Sequence, residues 1–354
     1  MRIWTIYNII YIVQMINPEG LSIPSFLKLK EFYNTYINIS KKKTDVYLLG
    51  QGWFAKGFME HIDKSYYKVT NITRFPFVNT PMLLQTVKPG HKSNSEQVGK
   101  FTKLVDKEIF ADITSINLSS RQIRTTGTTY IWDGGYLVCG LGSNTDIGRY
   151  WTQKVNLLKT LTQNSKVCIV GAGPTGTELA FHLSDLGHKL TLYDALPQVY
   201  TFLTPQGAEH IIKKLSETEI KLYTSTMYTP TNNANFDQII FAVGSRSNDL
   251  TSGWKITPQL NLKSNPEVFA GGDGIVQDLP KTAQVAYQQG EYVAKKLNGI
   301  ATKSNCNQDF KFVPKGTALY TGNGQYYVEF VGLNKEFQLK IPEQVMEFYY
   351  KWLK

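Results

Sequence analysis

The sequence predicts an α/β fold: two nested Rossmann-like dinucleotide-binding domains, then a small C-terminal β-rich segment and a terminal helix. Three observations predict it. DVYLLGQGWFAKGFMEHI, from Asp45, and KVCIVGAGPTGTELAFHLSDLGHKLTLYD, from Lys166, each run from a short apolar strand through a glycine turn into a helical pattern. Two later apolar runs, YLVCGLGS and DQIIFAVGS, end in Gly142 and Gly244, as strands would on which the chain passes between nested domains. From about Phe310, FKFVPKGTALYTGNGQYYVEF alternates as antiparallel strands with glycine turns do.

With 354 residues the chain holds two domains of ordinary size. The expected division is an N-terminal extension over 1–44, a first dinucleotide domain over 45–143 and 245–309, a second over 144–244, and a C-terminal segment over 310–354. Hydrophobic content of 42% against 19% charged residues belongs to a globular chain. The net charge of +10 suits an anionic partner or a plain Lys-rich composition, and no basic block denser than Lys41, Lys42 and Lys43 points to nucleic acid. Cys139, Cys168 and Cys306 form no C-x-x-C pair, which argues against a disulfide framework and a dithiol redox centre. The five histidines have no ligand spacing, so no metal site is expected.

Taken in order, the first stretch is apolar over 3–16, shorter than the roughly 20 residues that span a bilayer. One basic residue, Arg2, and no small-residue cleavage site make a poor signal peptide, and the stretch is too poor in Arg and Ser for a transit peptide. An interfacial anchor and an upstream extension, with the true start at Met15, both stay open.

The first turn reads G-x-G-x-x-A at Gly50, Gly52 and Ala55. The strand after it ends in Thr73 and Arg74 without an acid, so an adenosine ribose there is held by Thr73, backbone or water. The second turn carries Gly171, Gly173 and Gly176. The first glycine makes the tight turn, the second lets backbone approach a diphosphate, and the third lets helix and strand pack closely. Asp194 follows at roughly the 20-residue spacing of an acid that receives a ribose 2′-hydroxyl. An anion there repels a 2′-phosphate, and Ala195 and Leu196 offer no compensating cation, so NADH is favoured over NADPH.

Asp273, in VFAGGDG, either accepts hydroxyl groups of a polyol or caps the helix expected near Lys281. On that helix, AQVAYQQGEYVAKKLN, Gln284 and Gln288 sit at i and i+4 and face one direction. The last stretch puts Ile341, Val345, Phe348, Tyr349 and Trp352 on one helical face, to lie in a membrane interface or dock on its own domain.

In this order the motifs resemble the two-dinucleotide-binding-domain flavoproteins of the pyridine nucleotide-disulfide oxidoreductase superfamily, and among them the type II (single-subunit) NADH:quinone oxidoreductases. The resembling residues run from about Asp45 to Gly322: GQGWFAKG, RFPFVNTPML, DGGYLVCGLGSNTDIG, GAGPTGTELA, YDALPQV, VFAGGDG, LPKTAQVAYQQGEYVAKKLN and KFVPKGTALYTG. The resemblance implies FAD at the first site, NADH at the second, hydride transfer from nicotinamide C4 to flavin N5, and a quinone as electron acceptor. It implies FAD contacts at Gly50, Gly52, Trp53, Ala55, Thr73, Arg74, Thr80, Gly142, Asp273 and Ala283, and NADH contacts at Gly171, Gly173, Gly176, Asp194 and Gly244.

It also implies catalytic roles for Glu178, Lys315 and Gln284. Glu178 falls on the acid where nicotinamide meets flavin; the alternative is a first-turn carboxylate stabilised by the helix dipole. Lys315 falls on the basic residue beside the flavin; the alternative is an exposed turn lysine. Gln284, Tyr287 and Gln288 are expected to bind the quinone, the amides donating to its carbonyls and the ring stacking on it. The alternative is that the glutamines cap backbone groups beneath the flavin. On the quinone reading, Gln284→Leu slows quinone reduction and leaves flavin reduction by NADH nearly intact.

The family usually continues into a longer C-terminal membrane-lying region, whereas this sequence stops at Lys354, and GSRSN lacks a proline after Arg246. Two other functions stay open: a soluble FAD-dependent NADH oxidoreductase of the apoptosis-inducing-factor-like or diaphorase type, and a non-catalytic FAD/NAD-binding scaffold. A membrane surface and a homodimer are the partners expected besides the quinone, with location peripheral to a membrane or cytoplasmic.

Overall fold

The structure, a computed structural model, describes residues 43–74, 105–143, 161–229, 236–304 and 307–330, and the backbone of 333–338. The expectations for the N-terminal stretch before residue 43, Thr80, Cys306 and the terminal helix fall outside the described residues.

The first unit opens with β1 (Thr44–Leu49), α1 (Trp53–His61) and β2 (Tyr67–Thr73). β3 (Lys107–Phe110) pairs beside β2, and a small antiparallel sheet of β4 (Ile113–Asn117), β5 (Gln122–Thr125) and β6 (Thr129–Ile131) precedes β7 (Tyr136–Cys139). The second unit contains β8 (Lys166–Val170), α2 (Pro174–Asp185), β9 (Lys189–Tyr193), α3 (Pro205–Ser216), β10 (Lys221–Tyr223) and β11 (Gln238–Phe241). The chain then returns through β12 (Val268–Ala270) and α4 (Ala283–Thr302), and ends in β13 (Thr317–Tyr320), β14 (Gln325–Phe330) and β15 (Leu333–Gln338).

Two parallel sheets result, ordered β12-β7-β1-β2-β3 and β10-β9-β8-β11. β12 pairs with β7, so the strand after the second unit closes the sheet begun before it, and the second unit is nested inside the first. The first sheet is apolar on both faces because both are covered. Val46 and Leu48 enter one core with α1 and α4, while Leu49, Ile72 and Leu137 enter another with Ile123 and Trp132. Burying Phe54 or Phe58 in the first of these stabilises it by roughly 1.5–3 kcal/mol each.

α1 and α4 touch through backbone. A Cβ on Gly290 would lie 1.9 Å from Phe54 O, and one on Gly57 would lie 2.1 Å from Tyr287 O, so the crossing tolerates no side chain at either position.

The β13–β14 strands do not form a core of their own. Leu319, Tyr320, Tyr326, Tyr327 and Val328 join the core of the second unit with Leu179, Phe181 and Ile211. Glu329 fixes them there: it accepts from Thr204 N at 3.1 Å and Thr204 Oγ1 at 2.6 Å at the start of α3. Cys139 and Cys168 are free and buried. Among the described residues no helix is long and apolar enough to cross a membrane, and no group of His, Cys, Asp and Glu is arranged to hold a metal.

Candidate functional site

The two glycine turns are built alike. Gly50 N donates to Ile72 O at 2.9 Å and Gly171 N to Tyr193 O at 2.7 Å, with φ of +92° and +108°. In each turn the crossing strand is too close for a side chain: a Cβ on Gly50 would lie 2.5 Å from Gly140 O, and one on Gly171 2.4 Å from Ala242 O. A Cβ on Gly176 would likewise lie 1.9 Å from Gly171 O, and Ala55 is buried at the corresponding place.

The middle glycines differ. Among the described residues a Cβ on Gly52 or Gly173 meets nothing within 4 Å. Each is the N-cap of its helix, and neither cap has a side-chain hydrogen bond, whereas Thr204 and Thr282 cap α3 and α4 through their side chains. The N-termini of α1 and α2 thus turn the positive end of the dipole toward the room beside Gly52 and Gly173; α2 begins with Pro174, so its first N–H belongs to Thr175. That is an anion cradle suited to a diphosphate.

Beside the second cradle, Asp194 accepts from Ala172 N and Leu196 N, both at 2.8 Å. A carboxylate has about four acceptor directions, so capacity remains for a ribose hydroxyl. The common register places Thr73 in the first unit where Asp194 stands in the second, since Gly50 and Gly171 bond the residues just before them. Thr73 is buried, and Arg74 is an exposed ion-pair partner of Asp112, which directs its guanidinium to the surface. An acid does stand one strand over from the end of β2. Glu108 on β3 pairs with Asn71, and burial pushes its carboxyl up while the nearby Gln51 amide pulls it back. Asn71 donates to Gly50 O at 2.9 Å and keeps a buried amide oxygen without a hydrogen-bond partner. The open Gly52 cradle and this orphaned oxygen fit a nucleotide at the first site. Strand spacing along the chain gave no signal for Glu108, because its neighbourhood is created by sheet pairing.

Asp273 sits in a 3₁₀ turn (Gly272–Gly274), where burial raises its carboxyl and Lys281 opposes the shift. The cap of α4 is Thr282, whose side chain accepts from Val285 N, so capping is not the task of Asp273. Gln289 holds this turn from beneath, accepting from Gly272 N and donating to Gln277 Oε1, both at 2.6 Å. Gly142 O accepts from Asn248 Nδ2 at 2.9 Å, which ties the outgoing crossover to the returning one. Ala283 is the first residue of α4, Trp53 the first of α1 and buried in the core, and Gly244 is left-handed at φ +87°.

Glu178 departs from expectation in one respect. α2 starts at Pro174 and its first turn holds no acid, so Glu178 lies past the turn where the dipole is felt most. Burial pushes its carboxyl up to about 8, partly offset by the bond from Tyr320 N at 3.1 Å.

The quinone expectations for α4 meet a different geometry. Gln284 is buried, accepting from Lys315 N at 3.0 Å and donating to Gly316 O at 2.8 Å. Gln288 accepts from Val313 N at 3.0 Å and donates to Val313 O at 2.9 Å. Both amides are engaged on passing backbone. Tyr287 is 2% exposed in the core with α1, and its hydroxyl donates to Glu60 Oε2 at 2.6 Å. The ring expected to stack on the quinone is therefore packed, among the described residues, against α1.

Residues 44–290 match the family described as pyridine nucleotide-disulphide oxidoreductase. A probable mitochondrial NADH-ubiquinone oxidoreductase of Schizosaccharomyces pombe is 24% identical over 72% of this chain and 63% of its own. The external alternative NADH-ubiquinone oxidoreductase of Yarrowia lipolytica is 24% identical over 77% of this chain and 62% of its own. The chain thus spans less than two thirds of the length of these curated relatives. The structure of NDH2 from Plasmodium falciparum in complex with NADH shares the fold with a TM-score of 0.73, at 14% identity, over 87% of this chain and 94% of that one.

Proposed function

Because the chain belongs to the pyridine nucleotide-disulphide oxidoreductase family, we propose that it is an FAD-dependent enzyme that oxidises NADH and delivers the electrons to a quinone. The observation that carries this reading is the pair of matched glycine turns at uncapped helix starts, one with Asp194 beside it and the other in the unit that carries Asp273. FAD, when bound, supplies the electron chemistry. The chain's residues bind, orient and set charge.

The first unit, 45–143 with 245–309, takes FAD in this reading. Gly50 and Ala55 shape the turn, Gly52 leaves room for the diphosphate at the start of α1, and Asp273 accepts polyol hydroxyls. The second unit, 144–244, takes NADH by the same arrangement at Gly171, Gly173 and Gly176, with Asp194 receiving the ribose. Glu178, its carboxyl pushed up to about 8, holds its proton near neutral pH and would donate as well as accept hydrogen bonds toward the bound nucleotides. Lys315 would supply a cation that favours negative charge on the bound flavin. The quinone follows from the names of the curated relatives; being apolar, it is met at a membrane surface in this proposal. Homodimerisation is compatible with it and not required by it.

Anaerobic absorbance of the purified, FAD-loaded protein tests the reading. NADH should bleach the flavin band and a short-chain quinone should restore it. Bleaching without recovery would remove the acceptor, and an unchanged band would leave only a binding role.

A further inference from the structure

Gln284 and Gln288 each close two hydrogen bonds on one passing segment. Gln288 engages both polar groups of Val313, and Gln284 brackets the next stretch through Lys315 N and Gly316 O. A side-chain amide carries the same donor and acceptor as a peptide group. The two glutamines thus stand in for a neighbouring strand. The geometry suits this: four helical residues rise about 6 Å, close to the roughly 6.6 Å that two extended residues cover.

The clamped backbone leads directly into a strand of the other unit. Gly316, at φ +120°, is pressed against Glu329 O, which a Cβ would approach to 2.0 Å, so the chain turns into β13 at a fixed point. β13 lies in the core of the second unit, and its last residue, Tyr320, donates from N to Glu178 Oε1 at 3.1 Å. The bridge over 313–320 is therefore held at one end by a helix of the first unit and at the other by a helix of the second.

We propose that Gln284 and Gln288 are positioning residues: they clamp the 313–316 backbone so that Lys315, and through β13 the helix bearing Glu178, keep a fixed place relative to the first unit. The consequence for turnover rests on the functional reading given above; the clamp itself does not.

The test uses the FAD-loaded full chain with Gln284→Met and Gln288→Met, which keep length and apolar contact and remove both hydrogen-bonding ends. Amide hydrogen exchange at Val313 and Lys315 should rise about tenfold in the double variant. Flavin reduction by NADH and reoxidation by quinone should both slow, and the flavin reduction potential should move. Unchanged exchange with slowing confined to reoxidation would overturn the proposal and return the amides to the quinone. Faster exchange with wild-type rates in both half-reactions and an unmoved potential would also overturn it, leaving a purely structural clamp. If the double variant fails to fold, Gln288→Met alone serves: it removes both bonds to Val313, and exchange at Val313 N should rise while Lys315 N stays protected by Gln284. A wild-type protein that NADH cannot bleach would sink the functional reading, while the exchange data would still decide the clamp.

Discussion

The carboxylate of Asp194 accepts the N–H of Ala172 at 2.8 Å, fastening the end of one strand to the glycine turn that ends its neighbour. The acid thus fixes the shape of the turn, and in the proposed function it also receives the ribose.

Asp194→Ala should therefore weaken NADH binding about tenfold or more, since it removes a charged acceptor and loosens the turn. Titration of NADH against flavin fluorescence measures this, and FAD content should stay at the wild-type level. Loss of FAD instead would show that the two sites are assigned the wrong way round.

The middle glycines allow a cleaner separation of fold from binding. Gly173→Ala adds a methyl where no atom of the described residues lies within 4 Å, so thermal stability should hold while KM for NADH rises about tenfold. Gly52→Ala should likewise leave the fold intact and lower FAD retention. Gly176→Ala is the contrast: its Cβ would lie 1.9 Å from Gly171 O, and the variant should lose roughly 2 kcal/mol or more of stability.

Glu178 carries a pH signature whose sign follows from its burial. Its carboxyl titrates at 4.5 ordinarily and at about 8 in the folded protein. Between those values the folded state keeps a proton that the unfolded chain has released, so this contribution is full below 4.5 and is lost as pH rises through 8. Wild type should thus lose stability across that interval relative to Glu178→Gln, by several degrees in Tm. Parallel Tm curves for the two proteins would refute the raised value.

Tyr287→Phe deletes the hydroxyl bonded to Glu60 at 2.6 Å in the α1–α4 core. A loss of roughly 1–3 kcal/mol in stability is expected, with KM for quinone unchanged. A shift in quinone KM at wild-type stability would place the ring at the acceptor after all.

The glycine turns were legible because each is a local pattern in which strand, turn and helix are contiguous, although the close contacts that exclude a side chain at Gly50 and Gly171 come from Gly140 and Ala242, far along the chain. The spacing to Asp194 is equally local, one crossover long. Glu178 was legible as a candidate, but the sequence placed it in the first helical turn, whereas α2 begins at Pro174 and puts it past that turn. Glu108 was missed because its partners, Asn71 and Gln51, come from strands and turns more than thirty residues away, joined to it only by sheet register.

The glutamine helix marks the boundary most sharply. By itself the sequence determined that Gln284 and Gln288 share a face of a helix, since 3.6-residue periodicity requires it, and that two strand–turn–helix units precede and follow each other in nested order. Only the tertiary structure decided what that face meets. The bonds of Gln284 and Gln288 reach 25 to 32 residues along the chain, to a backbone segment with no periodic signal of its own. A polar side chain's partner is set by whichever distant segment packing brings within 3 Å, and local pattern carries no information about that.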